Sequence, residues 1–60
     1  MWTAYIGEVE FEDKANEICK KYGNVIISGI THNGHYELSV ETESNRLVNI
    51  MQSALARGKM

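Results

Sequence analysis

Two runs rich in β-branched and aromatic residues, Val25 to Thr31 and Tyr36 to Thr42, are separated by His32-Asn33-Gly34-His35, and this passage constrains the fold most. Asn-Gly between alternating apolar residues is the strongest short-range signature of a β-hairpin, because a two-residue type I′ turn needs positive φ at both central positions. Such a turn sets the register: His32 opposite His35, Thr31 opposite Tyr36, Gly29 opposite Leu38 and Ile27 opposite Val40. One face of the predicted hairpin carries Val25, Ile27, Gly29, Thr31, Tyr36, Leu38 and Val40, and is core. The other carries Ile26, Ser28, Ile30, His32, His35, Glu37, Ser39 and Glu41, polar apart from two isoleucines.

A helix is predicted on each side of the hairpin. Ala15, Ile18, Cys19 and Tyr22 recur at the spacing of one apolar helical stripe, with Asp13 as the expected cap and Gly23 as the left-handed stop. The opposite face is polar, and Glu17 precedes Lys21 in the favourable order for an ion pair one turn apart. After the hairpin, Thr42 or Ser44 is positioned to cap a second helix with Leu47, Ile50, Met51, Ala54 and Leu55 inward and Gly58 at its end. The first residues alternate, with Trp2, Ala4 and Ile6 in one phase and Tyr5, Val9 and Phe11 in the other. Alternation reads as a strand, and the change of phase near Gly7 reads either as a bulge or bend or as the end of the strand and the start of a loop.

The resulting order, β-α-β-β-α, resembles the split βαβ, ferredoxin-like arrangement with its last strand missing. That resemblance implies an α+β fold: a three-stranded antiparallel sheet, two helices on one face and nothing on the other. It is a likeness of architecture and carries no function. It places the first strand beside the third and leaves the first and second strands as edges.

Sixty residues without proline or repeats make one domain, spanning 1–60. A domain of that size buries only about 60% of the surface its unfolded chain exposes. The single cysteine excludes an internal disulfide, and no closed zinc-ligand set is present. Six Lys plus Arg against eight Asp plus Glu give a net charge of −2, the wrong sign for a generic nucleic-acid binder. No apolar stretch reaches the length of a membrane span, and Met1-Trp2-Thr3-Ala4-Tyr5 does not read as a secretory signal. The expected setting is cytoplasmic, in a bacterium or a phage-infected one.

The chemistry-bearing residues are few. His32 and His35, brought opposite one another by the predicted turn, form with Glu37 a candidate divalent-metal set, although no fourth ligand can be named. Cys19 lies on the apolar stripe of the first helix, where a thiol is structural and not nucleophilic. No nucleophile elbow, phosphate loop or triad is present, so no catalytic residue and no cofactor is assigned. Glu8, Glu10, Glu12 and Asp13 form an acidic run that reads either as a mimic of nucleic-acid phosphates or, more simply, as a solvated strand face leading into a helix start. The uncovered sheet face is then the leading candidate partner-binding surface, with Tyr5, Ile26, Ser28, Ile30, His32, His35 and Glu37 as its expected residues, while an unpaired edge strand and the neutral outer face of the last helix are the other candidates. The function expected on this basis is a non-enzymatic protein–protein interaction module. It would be homodimeric and act as a regulator or inhibitor by binding a partner protein, in the manner of a phage inhibitor of a host or defence protein. The alternatives are a small-ligand or metal-binding oligomer built on His32, His35 and Glu37 and, last, a nucleic-acid binder.

Overall fold

Three strands and two helices follow one another as β1 (Trp2–Val9), α1 (Glu12–Lys21), β2 (Val25–Ile30), β3 (Tyr36–Thr42) and α2 (Asn45–Ala56) in a computed structural model that describes all 60 residues. β3 is the centre of an antiparallel sheet of order β1-β3-β2, the ferredoxin-like order without its fourth strand. Both helices pack on the same side. α1 lies nearest β2 and α2 nearest β1, and no Cα of α1 comes within 8 Å of one in α2. The core between the layers is built on Ile18, Leu38 and Val40, all fully buried, with Ile6, Ala15, Val25, Val48 and Met51 around them. Between the helices lies an apolar slot of about 170 Å³ lined by Tyr22, Leu47, Met51 and Ala54, and Met60 folds back into its wall.

The bulge expected near Gly7 is present. β1 slips one residue against β3 between Tyr5 and Gly7, so Ile6 and Val9 both reach the helix side although they differ in phase. Gly7 has φ +146°, and a Cβ there would lie 2.5 Å from Leu55 Cδ2, so backbone conformation and close packing both require glycine. Gln52 of α2 donates to the Tyr5 carbonyl at 2.7 Å, tying the bulged edge to the helix layer.

The hairpin forms, but not through a type I′ turn. Only Gly34 has positive φ, at 83°, and Asn33 does not. The Gly34 amide donates to the Thr31 carbonyl at 2.9 Å and the Thr31 amide to the His35 carbonyl at 2.8 Å, giving a three-residue loop of His32-Asn33-Gly34. A loop of that length needs one left-handed residue, not two, and so spares Asn33 a strained conformation. The register therefore shifts by one from the expected one: Ile30, not Thr31, lies opposite Tyr36. A second slip between Ile27 and Gly29 returns the strand to the expected phase, with Ile27 opposite Leu38, Ile26 opposite Ser39 and Val25 opposite Val40. The Ser28 hydroxyl donates to the Glu37 carbonyl at 3.3 Å beside this second bulge.

The helix boundaries correct three further expectations. α1 starts at Glu12 with Phe11 as its N-cap and no side-chain cap, so Asp13 lies inside the first turn, where its charge favours the helix dipole. Gly23 is not left-handed, because α1 ends with Tyr22 in an extended conformation. On α2 it is Val48 and Met51 that are buried, and Ile50 is 55% exposed, a rotation of the stripe by a fraction of a turn. The α2 termini are well closed. Ser44 accepts from the Leu47 amide at 3.2 Å, and Thr42 accepts from the Ser44 amide at 3.1 Å. At the other end Gly58 is left-handed, while Lys59 donates to the Ala54 carbonyl at 2.8 Å and Gly58 to Leu55 at 3.0 Å, a Schellman closure. Ser44→Ala should cost about 1 kcal/mol, as N-cap removals usually do. Urea unfolding followed by circular dichroism would measure it, and an unchanged midpoint would show that the cap adds nothing.

Candidate functional site

The sheet surface opposite the helices has no covering layer, and the register of the three strands orders it into rows. Tyr5 on β1 and Ile26 on β2 both lie opposite Ser39 on β3, which makes one neutral row across the whole sheet. Toward the hairpin, Glu8 and Gly29 lie opposite Glu37. On the other side Thr3 lies opposite Glu41, whose amide donates to Asn24. The face is thus a neutral centre between two acidic rows.

The central row is sealed from below. Ser39 is only 5% exposed although no helix covers it, and its hydroxyl donates to Ser28 at 2.9 Å, which in turn donates to the Glu37 carbonyl. Tyr5 and Ile26 flank it with large exposed surfaces, 50% and 37%. Burial, followed by the nearby carboxylates of Glu8 and Glu37, pushes the Tyr5 phenol above its ordinary range, so the hydroxyl stays neutral.

Glu8 and Glu37 are direct cross-strand partners, a like-charge pairing that sheets disfavour. His35 Nδ1 stands 3.1 Å from Glu8 Oε1, an arrangement that offsets the repulsion when the imidazole is protonated. Glu37 has no such partner. Its carboxylate lies over Gly29, where a Cβ would meet Glu37 Oε1 at 3.0 Å. No Lys or Arg occurs in any strand: Lys14, Lys20 and Lys21 belong to α1, Arg46 to α2, and Arg57 and Lys59 follow it. No lysine or arginine bridges a carboxylate anywhere in the molecule, the two ion pairs being Met1–Glu43 and Glu8–His35.

The expected partner-binding residues are therefore only partly brought together. Tyr5, Ile26, Ser28, His35 and Glu37 share the open face. Ile30 does not: the shifted register turns it to the helix side at the end of β2, where it is 63% exposed and level with Tyr36. His32 sits in the turn and not opposite His35, so the metal set of His32, His35 and Glu37 is not assembled, and no three His, Cys, Asp or Glu residues come close enough to hold an ion. The acidic run divides as well. Glu8 joins the sheet face, Glu10 lies in the connection, and Glu12 and Asp13 open α1, where Glu12 accepts from the Tyr36 hydroxyl at 3.1 Å. Glu41, absent from the expected site, belongs to the face. Its alternation with Glu37 and Ser39 along β3 was the available signal.

Elsewhere the surface holds little chemistry. Burial pushes the Cys19 thiol up, away from the reactive thiolate. An open trough of about 410 Å³ runs along α2, lined by Asn49, Ile50, Ser53, Ala54, Arg57 and Lys59. No helix is long and apolar enough to cross a membrane. No protein-family model, curated protein or solved structure matches the chain.

Proposed function

We propose that the protein is a non-enzymatic protein–protein interaction module that acts as a regulator or inhibitor by docking the open sheet face on another protein. The observation that carries this reading is the row Tyr5–Ser39–Ile26, an uncovered neutral centre whose one nearly buried polar group is already hydrogen-bonded. A surface of this construction loses little when water leaves it, and interface centres have the same make-up of aromatic and aliphatic anchors over satisfied polar groups. Both edges of the sheet are less suited to adding a strand, because each is bent by a bulge in its middle. A reducing cytoplasmic setting accords with the lone thiol of Cys19.

A photo-reactive residue placed at position 26, with a second chain carrying it at Ser53 on the outer side of α2, tests the surface directly. Expressed in the producing cells, the position-26 protein should form a discrete covalent adduct with a second polypeptide, weakened by a Tyr5→Ser change. An adduct from position 53 with none from position 26 would overturn the reading.

A further inference from the structure

We infer that the open sheet face docks a cationic protein surface, one that presents an apolar side chain flanked by lysine or arginine, in preference to a second copy of this chain. The inference rests on the reading of that face as the docking surface and names the chemistry of what covers it. Three features of the face lead to the same occupant. The rim is acidic at both ends, with Glu8 and Glu37 on one side of the central row and Glu41 on the other, and no strand residue is basic. The acidic rows are set four residues apart on β3, about 14 Å at the usual strand rise, which leaves room for one apolar side chain between two cations. The Glu37 carboxylate has no hydrogen-bonded or ionic partner of its own, and it faces Glu8 across the strands.

Self-pairing through the same face fails on charge. A two-fold contact is isologous, so it would set the acidic rows of one copy against the acidic rows of the other. Like charges brought together at an interface suppress that pairing, whereas a cationic partner relieves the Glu8–Glu37 repulsion as it binds. Polyanions such as nucleic acid are disfavoured for the same reason.

The test uses a synthetic amphipathic peptide of leucine and lysine as the probe, titrated into isotope-labelled protein and followed by amide chemical shifts. Two triple variants with the same change in net charge are compared. Glu8→Gln, Glu37→Gln and Glu41→Gln neutralise the face, while Glu10→Gln, Asp13→Asn and Glu17→Gln neutralise acidic residues elsewhere. The face variant should bind about tenfold more weakly than the parent, the low end of electrostatic steering, with the control within about twofold. The shifts should centre on Tyr5, Ile26 and Ser39. Both variants should melt within a few degrees of the parent, and the melting curves separate weaker binding from unfolding. Equal loss in the two variants, shifts centred on α1, or a position-26 adduct between two copies of the chain would overturn the inference. A position-26 adduct to another protein whose yield is indifferent to salt would overturn it too, while leaving the protein-binding reading intact. Loss of that adduct altogether would instead remove the reading beneath it.

Discussion

Replacing Leu38 with alanine is expected to leave the chain largely unfolded at room temperature. Leu38 is wholly buried at the centre of β3, opposite Gly7 on one side and Ile27 on the other, beside both bulges. Truncating a buried leucine costs about 2–5 kcal/mol, the spread reflecting how far neighbours close over the hole. Neighbours here have little freedom to close. Gly7 is held against Leu55, and Ile6 and Ile18 are themselves fully packed. A core in a domain this small rarely supplies more than about 3–5 kcal/mol in total, so one truncation approaches the whole margin. Urea titration followed by far-ultraviolet circular dichroism measures it. Ile50→Ala is the internal comparison, and its 55% exposure places it within about 0.5 kcal/mol of the parent. A Leu38→Ala protein within about 1 kcal/mol of the parent would mean that the core is not centred where the structure puts it.

Gly7→Ala is the second large effect, and it has two separable causes. A side chain at φ +146° is strained, at about 1–3 kcal/mol for such conformations. The added methyl also overlaps Leu55, and overpacking of a tight core adds about 1–3 kcal/mol. The two causes separate in a double-mutant cycle with Leu55→Ala. In the Leu55→Ala background the alanine at position 7 should lose the overlap cost and keep the conformational one. Residues in contact couple by about 0.5–3 kcal/mol in such cycles. Additive costs, with no coupling, would place Leu55 away from Gly7 and refute the packing described for the bulge.

Much of this architecture was legible in the chain because the strongest signals were local. Asn33-Gly34 located the hairpin, the phase change near Gly7 located one bulge, and the Ala15-Ile18-Cys19-Tyr22 stripe located α1. The turn type was not legible, because Asn-Gly suits both a two-residue and a three-residue loop, and the difference lies in whether Asn33 takes positive φ. The second bulge was hidden by composition. Isoleucine stands at 26, 27 and 30, in both phases, so the slip at Ser28 leaves no break in the alternation. Ile30 was consequently placed on the wrong side of the sheet. On α2 the run Leu47-Val48 and Ile50-Met51 allows two stripes a fraction of a turn apart, and only packing against β1 chooses between them. The acidic rim was legible only along β3, where Glu37 and Glu41 alternate with Ser39. Glu8 and Glu37 are far apart in the chain, and no local pattern shows that they become neighbours.

The order of the strands makes the open face conditional on long-range pairing. β2 and β3 meet across three residues, but β1 meets β3 only after most of the chain has been traversed. Each doubling of the loop to be closed adds about 0.6 kcal/mol, so the β1–β3 junction costs more chain entropy to close than the hairpin does. Thr3, Tyr5 and Glu8 belong to that strand and form one whole column of the open face. A hairpin alone therefore displays Ile26 and Ser39 without their tyrosine and with one acidic row halved. The open face is intact only when the first strand and the third are together, so a partner that docks there, as proposed, would select chains in which β1 has joined the hairpin.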